Sequence, residues 1–308
     1  MATIYHYPTS HCSRKVRMVA AELGLPHETV VVDIATCENY YPDYSKNINP
    51  GMVVPAFVDF DGETVVVDSK VIMETLVAKY TGAFNDTDLR PHTPEEMDTA
   101  KEWLDRMDTL DIVTISMGSG KYIPPFVVDL RYAKALRLTK MYADQFAVED
   151  PPLAELYWKQ HERIAKASAK SGSREEMKVA LDRLKSDVKD MDALLFDGRL
   201  WLCGDRLTLV DVAWAPVFRR LEDIGYSDEV LSSLLNVQRY ASELKKRPSY
   251  VSAIDGFPPQ MRSPIKKVQV VCNLVYDKVF GGKETNIMII AAGIGVAIAA
   301  TTVFRKKK

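Results

Sequence analysis

Thr3-Ile4-Tyr5-His6-Tyr7-Pro8-Thr9-Ser10-His11-Cys12-Ser13-Arg14-Lys15-Val16-Arg17 is the stretch on which the reading of this chain turns. Residues 3–7 alternate as a short strand, and 13–23 carry helical periodicity, so Ser10, His11, Cys12 and Ser13 fall at a helix N-terminus. The first N–H groups of a helix lack partners within it, and the peptide dipoles add positive potential. A thiol placed there is favoured as thiolate, the nucleophilic form. The alternative is a small apolar cysteine packed under a sheet. The flanking hydroxyls and the bases Arg14, Lys15 and Arg17 favour chemistry.

Outward from this corner, Gly24 and Pro26 stop the helix and 28–33 reads as a β-branched strand. A polar, tyrosine-rich stretch follows. Val53-Val54-Pro55 then leads into a strand at 56–60, Asp61-Gly62 turns the chain, and 64–67 completes a hairpin. Residues 69–80 form an amphipathic helix with Val71, Ile72, Leu76 and Tyr80 inward. This order predicts a thioredoxin-like α/β domain over 1–82. From Pro94 strand signals vanish and helices are expected over 94–117, 127–147, 151–170, 173–196, 208–224 and 230–246. They make an all-α domain over 94–256, with added helical material around 119–172. Ser173 with Glu176, and Thr208 with Asp211, have N-cap spacing.

Length and composition narrow the function. The 308 residues suffice for two domains, and 40 Lys and Arg against 42 Asp and Glu give no electrostatic reason to expect nucleic acid as a partner. Cys12, Cys37, Cys203 and Cys272 are scattered without CxxC spacing, which reads as reduced thiols and not a disulfide framework or zinc site. The five histidines are equally dispersed, so no metal is expected. The N-terminus lacks a signal peptide pattern.

The C-terminal region reads differently. Residues 264–282 place Ile265, Val268, Cys272, Val275 and Val279 on one helical face, suiting either a membrane surface or docking on the globular body. Residues 287–304 carry no charge over a length of about 27 Å as a helix. Arg305 and three lysines follow. The expectation is a transmembrane tail anchor, with Ala291, Gly295 and Ala299 as a small-residue stripe. Its modest hydrophobicity and basic end point to the mitochondrial outer membrane, then to peroxisome or endoplasmic reticulum, with the body facing the cytosol.

The segment TSHCSRKVR, residues 9–17, resembles the SSCSxRVR active-site motif of zeta-class glutathione transferases. It is at least as similar to the corresponding segment of the tetrachlorohydroquinone reductive dehalogenases. That second likeness continues through Glu38-Asn39-Tyr40, Pro42-Asp43-Tyr44 and Val53-Val54-Pro55. The Val54-Pro55 step, Asp68-Ser69 before a helix, and Thr208-Leu209-Val210-Asp211 after Gly204-Asp205 match the wider cytosolic glutathione transferase family. The likeness covers 3–81 and, less closely, 173–247. It leaves out 119–172 and the C-terminal stretch.

The resemblance implies a thioredoxin-like domain followed by an all-α glutathione-transferase domain, with glutathione as co-substrate and a small hydrophobic electrophile as the other partner. It implies a cis Val54-Pro55 bond, with Val54 offering its N–H and C=O to the cysteinyl part of glutathione. Ser69 at a helix start would hold the γ-glutamyl carboxylate and Asp68 its ammonium group. Ser10 would hydrogen-bond the glutathione sulfur. Cys12 would attack the sulfur of a glutathionyl-aromatic intermediate and form a mixed disulfide. His11 departs from the family pattern and reads as a proton donor, a gate, or more simply an exposed histidine. Ser13 and Tyr7 are accessory candidates, and Tyr5 could also reach the sulfur.

These observations lead first to a glutathione-dependent transferase or reductive dehalogenase. A second reading is an organelle-membrane dynamics factor, because the body, added helices and basic-tailed span resemble the ganglioside-induced differentiation-associated protein 1 family. Ser10, Cys12, Val54-Pro55 and Ser69 in recognisable order favour catalysis. A homodimeric glutathione-binding scaffold is a third reading. Trp103, Tyr122, Phe126, Tyr132 and Trp158 suggest an apolar acceptor pocket, or simply core.

Overall fold

A computed structural model describes residues 1–119, 123–170, 173–257 and 264–280. In chain order the elements are β1 (Ala2–His6), α1 (His11–Glu22), β2 (His27–Val31), α2 (Pro42–Asn47), β3 (Ala56–Val58), β4 (Val65–Val67), α3 (Ser69–Tyr80), α4 (Pro94–Asp108) and α5 (Ile112–Gly118). There follow α6 (Pro125–Glu149), α7 (Pro151–Lys170), α8 (Arg174–Leu194), α9 (Leu209–Ile224), α10 (Ser227–Leu231), α11 (Leu235–Lys246), α12 (Pro248–Tyr250) and α13 (Pro264–Phe280). They divide into two compact units, 1–32 with 53–125 and 170–258, and 33–52 with 126–169 and 259–308. This division by compactness cuts across the expected chain boundary between 82 and 94. Each unit is built from separated stretches.

In the first unit the strands form one sheet in the order β2-β1-β3-β4. β1 runs parallel to β2, the arrangement that the α1 crossover permits, and β3 is antiparallel to both β1 and β4. Alternation along β1 buries Ala2, Ile4 and His6. Val16, Val19 and Ala20 of α1 join Ile4, Phe57, Ile72 and Leu76 in one apolar core. That burial, at about 25 cal/mol per Å² of apolar surface, is what fixes α1 and α3 against the sheet. The expected thioredoxin-like order is present.

The helical part of this unit corrects two boundaries. The expected helix over 94–117 is two helices, because the Asp111 side chain accepts from the Thr114 N–H at 3.0 Å and caps α5 as a new start. The expected helix over 230–246 likewise divides into α10 and α11. Thr93 and Glu96 form a capping box at α4. Ser173 caps α8 through the Glu176 N–H at 3.2 Å. Asp211 reaches back to the Thr208 N–H at 2.7 Å, and it also accepts from the Leu202 N–H and the Tyr240 hydroxyl, both at 2.9 Å.

In the second unit, the tyrosine-rich stretch contains α2, for which the sequence carries no helical periodicity. Ser45 on α2 shares a 2.8 Å hydrogen bond with the buried Tyr157 hydroxyl of α7. α13 docks on α6: Arg137 pairs with Asp277, and Lys134 donates to Asn273 at 2.7 Å. Its buried residues include Val270, Cys272, Leu274 and Tyr276, whereas Val279 is 64% exposed. The packed face is therefore rotated from the one expected, and the docked alternative holds.

The membrane-anchor reading is corrected. Among the described residues no helix is long and apolar enough to cross a membrane. Residues 287–304, where the transmembrane tail anchor was expected, lie outside the described residues. The last described helix, α13, is amphipathic and bound to α6 by side-chain pairs. The fold class is a thioredoxin-like domain plus a helical domain, and the placement on mitochondrial outer membrane, peroxisome or endoplasmic reticulum is withdrawn.

Candidate active site

Sheet register gathers the site. Tyr5 faces Ala56 across β1 and β3, and Ala56 faces Val67 across β3 and β4. The residues that follow β1 and β4 and those that precede β3 therefore share one end of the sheet. α1 and α3 both begin there, so two helix N-termini with their unpaired N–H groups converge on the same corner. That corner holds Ser10 and Cys12, Val54 and Pro55, and Asp68 and Ser69.

Cys12 is the second residue of α1 and is partly exposed; Cys37, Cys203 and Cys272 are buried. Burial pushes the Cys203 thiol up to about 11 and raises that of Cys37, which leaves both as inert neutral thiols. Ser10 is the N-cap, its Oγ accepting from the Ser13 N–H at 3.3 Å, so its own hydroxyl proton is available to donate. Ser13 is fully buried, and its Oγ accepts from the Tyr7 N–H at 3.3 Å. Ser13 thus shapes the turn from β1 into α1. Tyr7 follows β1, is buried, and accepts the Ser10 N–H on its carbonyl at 3.0 Å.

The Val54-Pro55 peptide is cis, as the resemblance implied. Val54 precedes β3 and stands outside the strand ladder. Asp68 is the N-cap of α3, with Oδ1 accepting from the Lys70 N–H at 2.8 Å and the Val71 N–H at 3.3 Å. Its φ of 73° and ψ of 127° lie in a region that side chains rarely adopt. Ser69 opens the helix and is 9% exposed.

Other candidates are placed differently. His11 is 6% exposed, its ring closed off from solvent. Burial first, then the neighbouring cations Lys15, Arg220 and Arg14, hold it well below the usual histidine range, so it is a neutral ring. It lies toward Pro216 of α9, which corrects the expectation of an exposed histidine. The basic cluster is structural as well. Arg14 pairs with Asp223 at 2.7 Å, both side chains closed to solvent. Arg17 donates to the carbonyls of Ala253 at 2.9 Å and Pro8 at 3.0 Å and lies 4.3 Å from the Phe257 ring centroid. The ties to Asp223 and Ala253 were invisible in the sequence, since those partners lie more than 200 positions away.

Trp103 is core, edge-on to Trp214. Phe126 and Trp158 are 55% and 40% exposed, and Tyr122 lies outside the described residues. Two cavities, about 500 and 390 Å³, are lined by residues such as Glu96, Arg199 and Cys203 in one case and Val77, Leu89 and Leu104 in the other. Neither includes a residue of the Cys12 corner. Among the described residues no group of three or more His, Cys, Asp or Glu could hold a metal ion.

Residues 9–79 match the glutathione S-transferase N-terminal domain family, and residues 128–246 match its C-terminal domain. The chain belongs to the glutathione S-transferase superfamily. It is an enzyme of that family. The second match runs from within α6 to the end of α11. The chain is 26% identical over 253 residues to a tetrachloro-p-hydroquinone reductive dehalogenase of Sphingobium chlorophenolicum, covering 82% of this chain and 94% of that protein. It is 24% identical over 256 residues to glutathione S-transferase TCHQD of Arabidopsis thaliana, covering 82% and 90%. A 2,5-dichlorohydroquinone reductive dechlorinase of Sphingobium indicum is 28% identical over 301 residues, covering 83% and 84%. Among solved structures, the fold is similar to that of the β-etherase LigF of a Sphingobium strain, with a TM-score of 0.62, 20% identity, and 83% and 99% of the two chains covered.

Proposed function

We propose that this glutathione transferase acts on an electrophilic aromatic or quinone-type substrate and removes halogen reductively through Cys12. The observation that carries this reading is that Cys12, alone among the four thiols, is not buried, and it stands beside Ser10 at the corner shared by Val54-Pro55 and Asp68-Ser69. The dehalogenase relatives support it.

In this reading Val54 pairs through its backbone with the cysteinyl part of glutathione, Ser69 holds the γ-glutamyl carboxylate, and Asp68 faces its ammonium group. The Ser10 hydroxyl donates to the glutathione sulfur, stabilising the thiolate that displaces halide from the ring. The Cys12 thiolate then attacks the sulfur of the aryl thioether. A Cys12–glutathione disulfide forms, and the aryl carbon leaves with the electron pair and takes up a proton. A second glutathione thiolate attacks that disulfide, releasing glutathione disulfide and regenerating Cys12. Per halide lost, two glutathiones are oxidised to one disulfide.

The test is turnover of a halogenated hydroquinone by the full chain with glutathione, following halide, reduced aromatic and glutathione disulfide. Cys12→Ser is expected to stop at the glutathionyl-aromatic product. If that variant still makes reduced aromatic at the native rate, the Cys12 mechanism is wrong. The membrane-dynamics alternative is not favoured, since the relatives named are transferases and dehalogenases and no described helix spans a membrane.

A further inference from the structure

We propose that Arg220, on α9, is a positioning residue for the Cys12 corner, holding the peptide before Ser10 in the plane from which Ser10 and Cys12 take their direction. This inference rests on the functional reading above. Residues 7–10 join β1 to α1 without regular structure, and the last peptide of that connection decides where the helix starts.

The two ends of that peptide are both held. The Ser10 N–H donates to the Tyr7 carbonyl at 3.0 Å. The Thr9 carbonyl accepts from the Arg220 guanidinium. A peptide unit is a rigid plane, so fixing its N–H and C=O directions fixes its orientation. Arg17 takes the neighbouring carbonyls of Pro8 and Tyr7 at 3.0 and 3.5 Å, but Arg17 belongs to α1 and travels with it. Arg220 lies 211 positions from Thr9 and ties the connection to α9.

Arg220 is suited to the task. It is 6% exposed, with the buried His11 ring beside it, so its planar fork is oriented by packing. α1 and α9 are further joined by the Arg14–Asp223 pair one turn deeper. The arrangement makes α9 the reference against which the Ser10 hydroxyl and the Cys12 thiol are aimed. A misplacement of about 1 Å at a reacting atom costs on the order of 100-fold in rate.

Arg220→Met removes the donor and keeps an apolar stem of similar reach; Arg220→Lys restores a single donor. In the full chain, Arg220→Met is expected to speed amide exchange at Ser10 by about 10-fold or more, with the core amides of α9 unchanged. The rate constant of the Cys12-dependent step should fall by about 10- to 100-fold while KM for glutathione moves less than about 3-fold. Arg220→Lys should recover part of both effects. Native-like exchange at Ser10 in Arg220→Met, or a loss confined to KM, overturns the proposal. If the Met variant does not fold, Arg220→Leu, which also lacks the donor, takes its place, and unchanged Ser10 exchange there overturns it equally. Exchange is independent of turnover, so a native chain without glutathione-dependent activity refutes the functional reading while Ser10 still judges Arg220.

Discussion

Arg14 and Asp223 meet at 2.7 Å between α1 and α9, with side-chain exposures of 0% and 1%. Asp223 also accepts from Arg219 at 3.0 Å, and although burial pushes its carboxyl up, the two guanidiniums hold it below the usual range. Removing one partner of such a pair leaves a buried charge without compensation. Asp223→Ala is expected to lower unfolding free energy by about 3–5 kcal/mol, measured by urea titration. The double replacement Arg14→Met with Asp223→Leu should recover most of that loss. A double variant no more stable than the single one would show that the pair is not the source.

His6 and His11 are buried neutral rings, and each makes stability depend on pH. Burial, then the Arg17 and His27 charges, hold His6 down to about 3, and His11 is also well below its ordinary value. In the unfolded chain both titrate near about 6.5. Between those values the unfolded state binds more protons, so the stabilisation is complete above pH 6.5 and is lost as pH falls below it. The expected slope is about 1.4 kcal/mol per pH unit for each ring between pH 6 and 5. His11→Met should reduce it by one proton. A flat stability profile from pH 7 to 5 would contradict both assignments.

Gly118, at the end of α5, is fixed by close packing. A Cβ built there would stand 2.8 Å from Met177 Cβ and 2.9 Å from its Cγ on α8. Those atoms are near the backbone and cannot swing aside. Gly118→Ala is expected to cost about 1–3 kcal/mol, read as a fall in thermal midpoint. Met177→Ala in the same chain removes the Cγ contact but keeps the Cβ one, so it should relieve only part of the added cost.

Asp68 holds a strained backbone and a cap at once. Asp68→Gly removes strain of about 1–3 kcal/mol and loses only a few tenths from the cap, so its melting temperature should equal or exceed that of the native chain. Asp68→Ala keeps the strain and loses the cap, and should be less stable by about 1 kcal/mol. Under the proposed function both lose the carboxylate facing the glutathione ammonium. Calorimetric titration should then show glutathione affinity reduced by about 10-fold or more in each, the loss expected for a charged hydrogen bond. Native affinity in Asp68→Gly would remove Asp68 from the binding site.

Thiol titration tests the exposure argument directly. Of the four cysteines only Cys12 is not buried, so a disulfide reagent should modify one thiol quickly in the native chain and the remaining three after unfolding. Cys12→Ser should abolish the fast phase. A fast phase that survives this replacement would identify another reactive thiol.

Much of the first unit was legible because its signals are local. The Ser69–Tyr80 helix has the predicted bounds, and the hairpin around Asp61-Gly62 follows from turn chemistry. The Leu110–Asp111 break was not, because a residue with ordinary helical periodicity acts there as a side-chain cap. α2 was missed because a six-residue, mostly polar helix has no apolar period of its own and depends on contacts such as Ser45 with Tyr157. The rotated face of α13 has the same origin. Its amphipathic stripe was plain, but Arg137 and Lys134 of α6 select which side is covered.

The order of residues by itself determined the strand and helix sequence around Cys12, the placing of Ser10 and Cys12 at a helix N-terminus, and the family that TSHCSRKVR resembles, since each rests on neighbours a few positions apart. Only the tertiary structure decided the fate of the basic residues that follow. Arg14 and Arg17 read as a positive field for a thiolate, but they are ties to Asp223 and Ala253, and His11 is a neutral ring buried toward Pro216. A side chain's charge is written in the sequence, whereas the partner that uses it is set by packing across more than 200 positions.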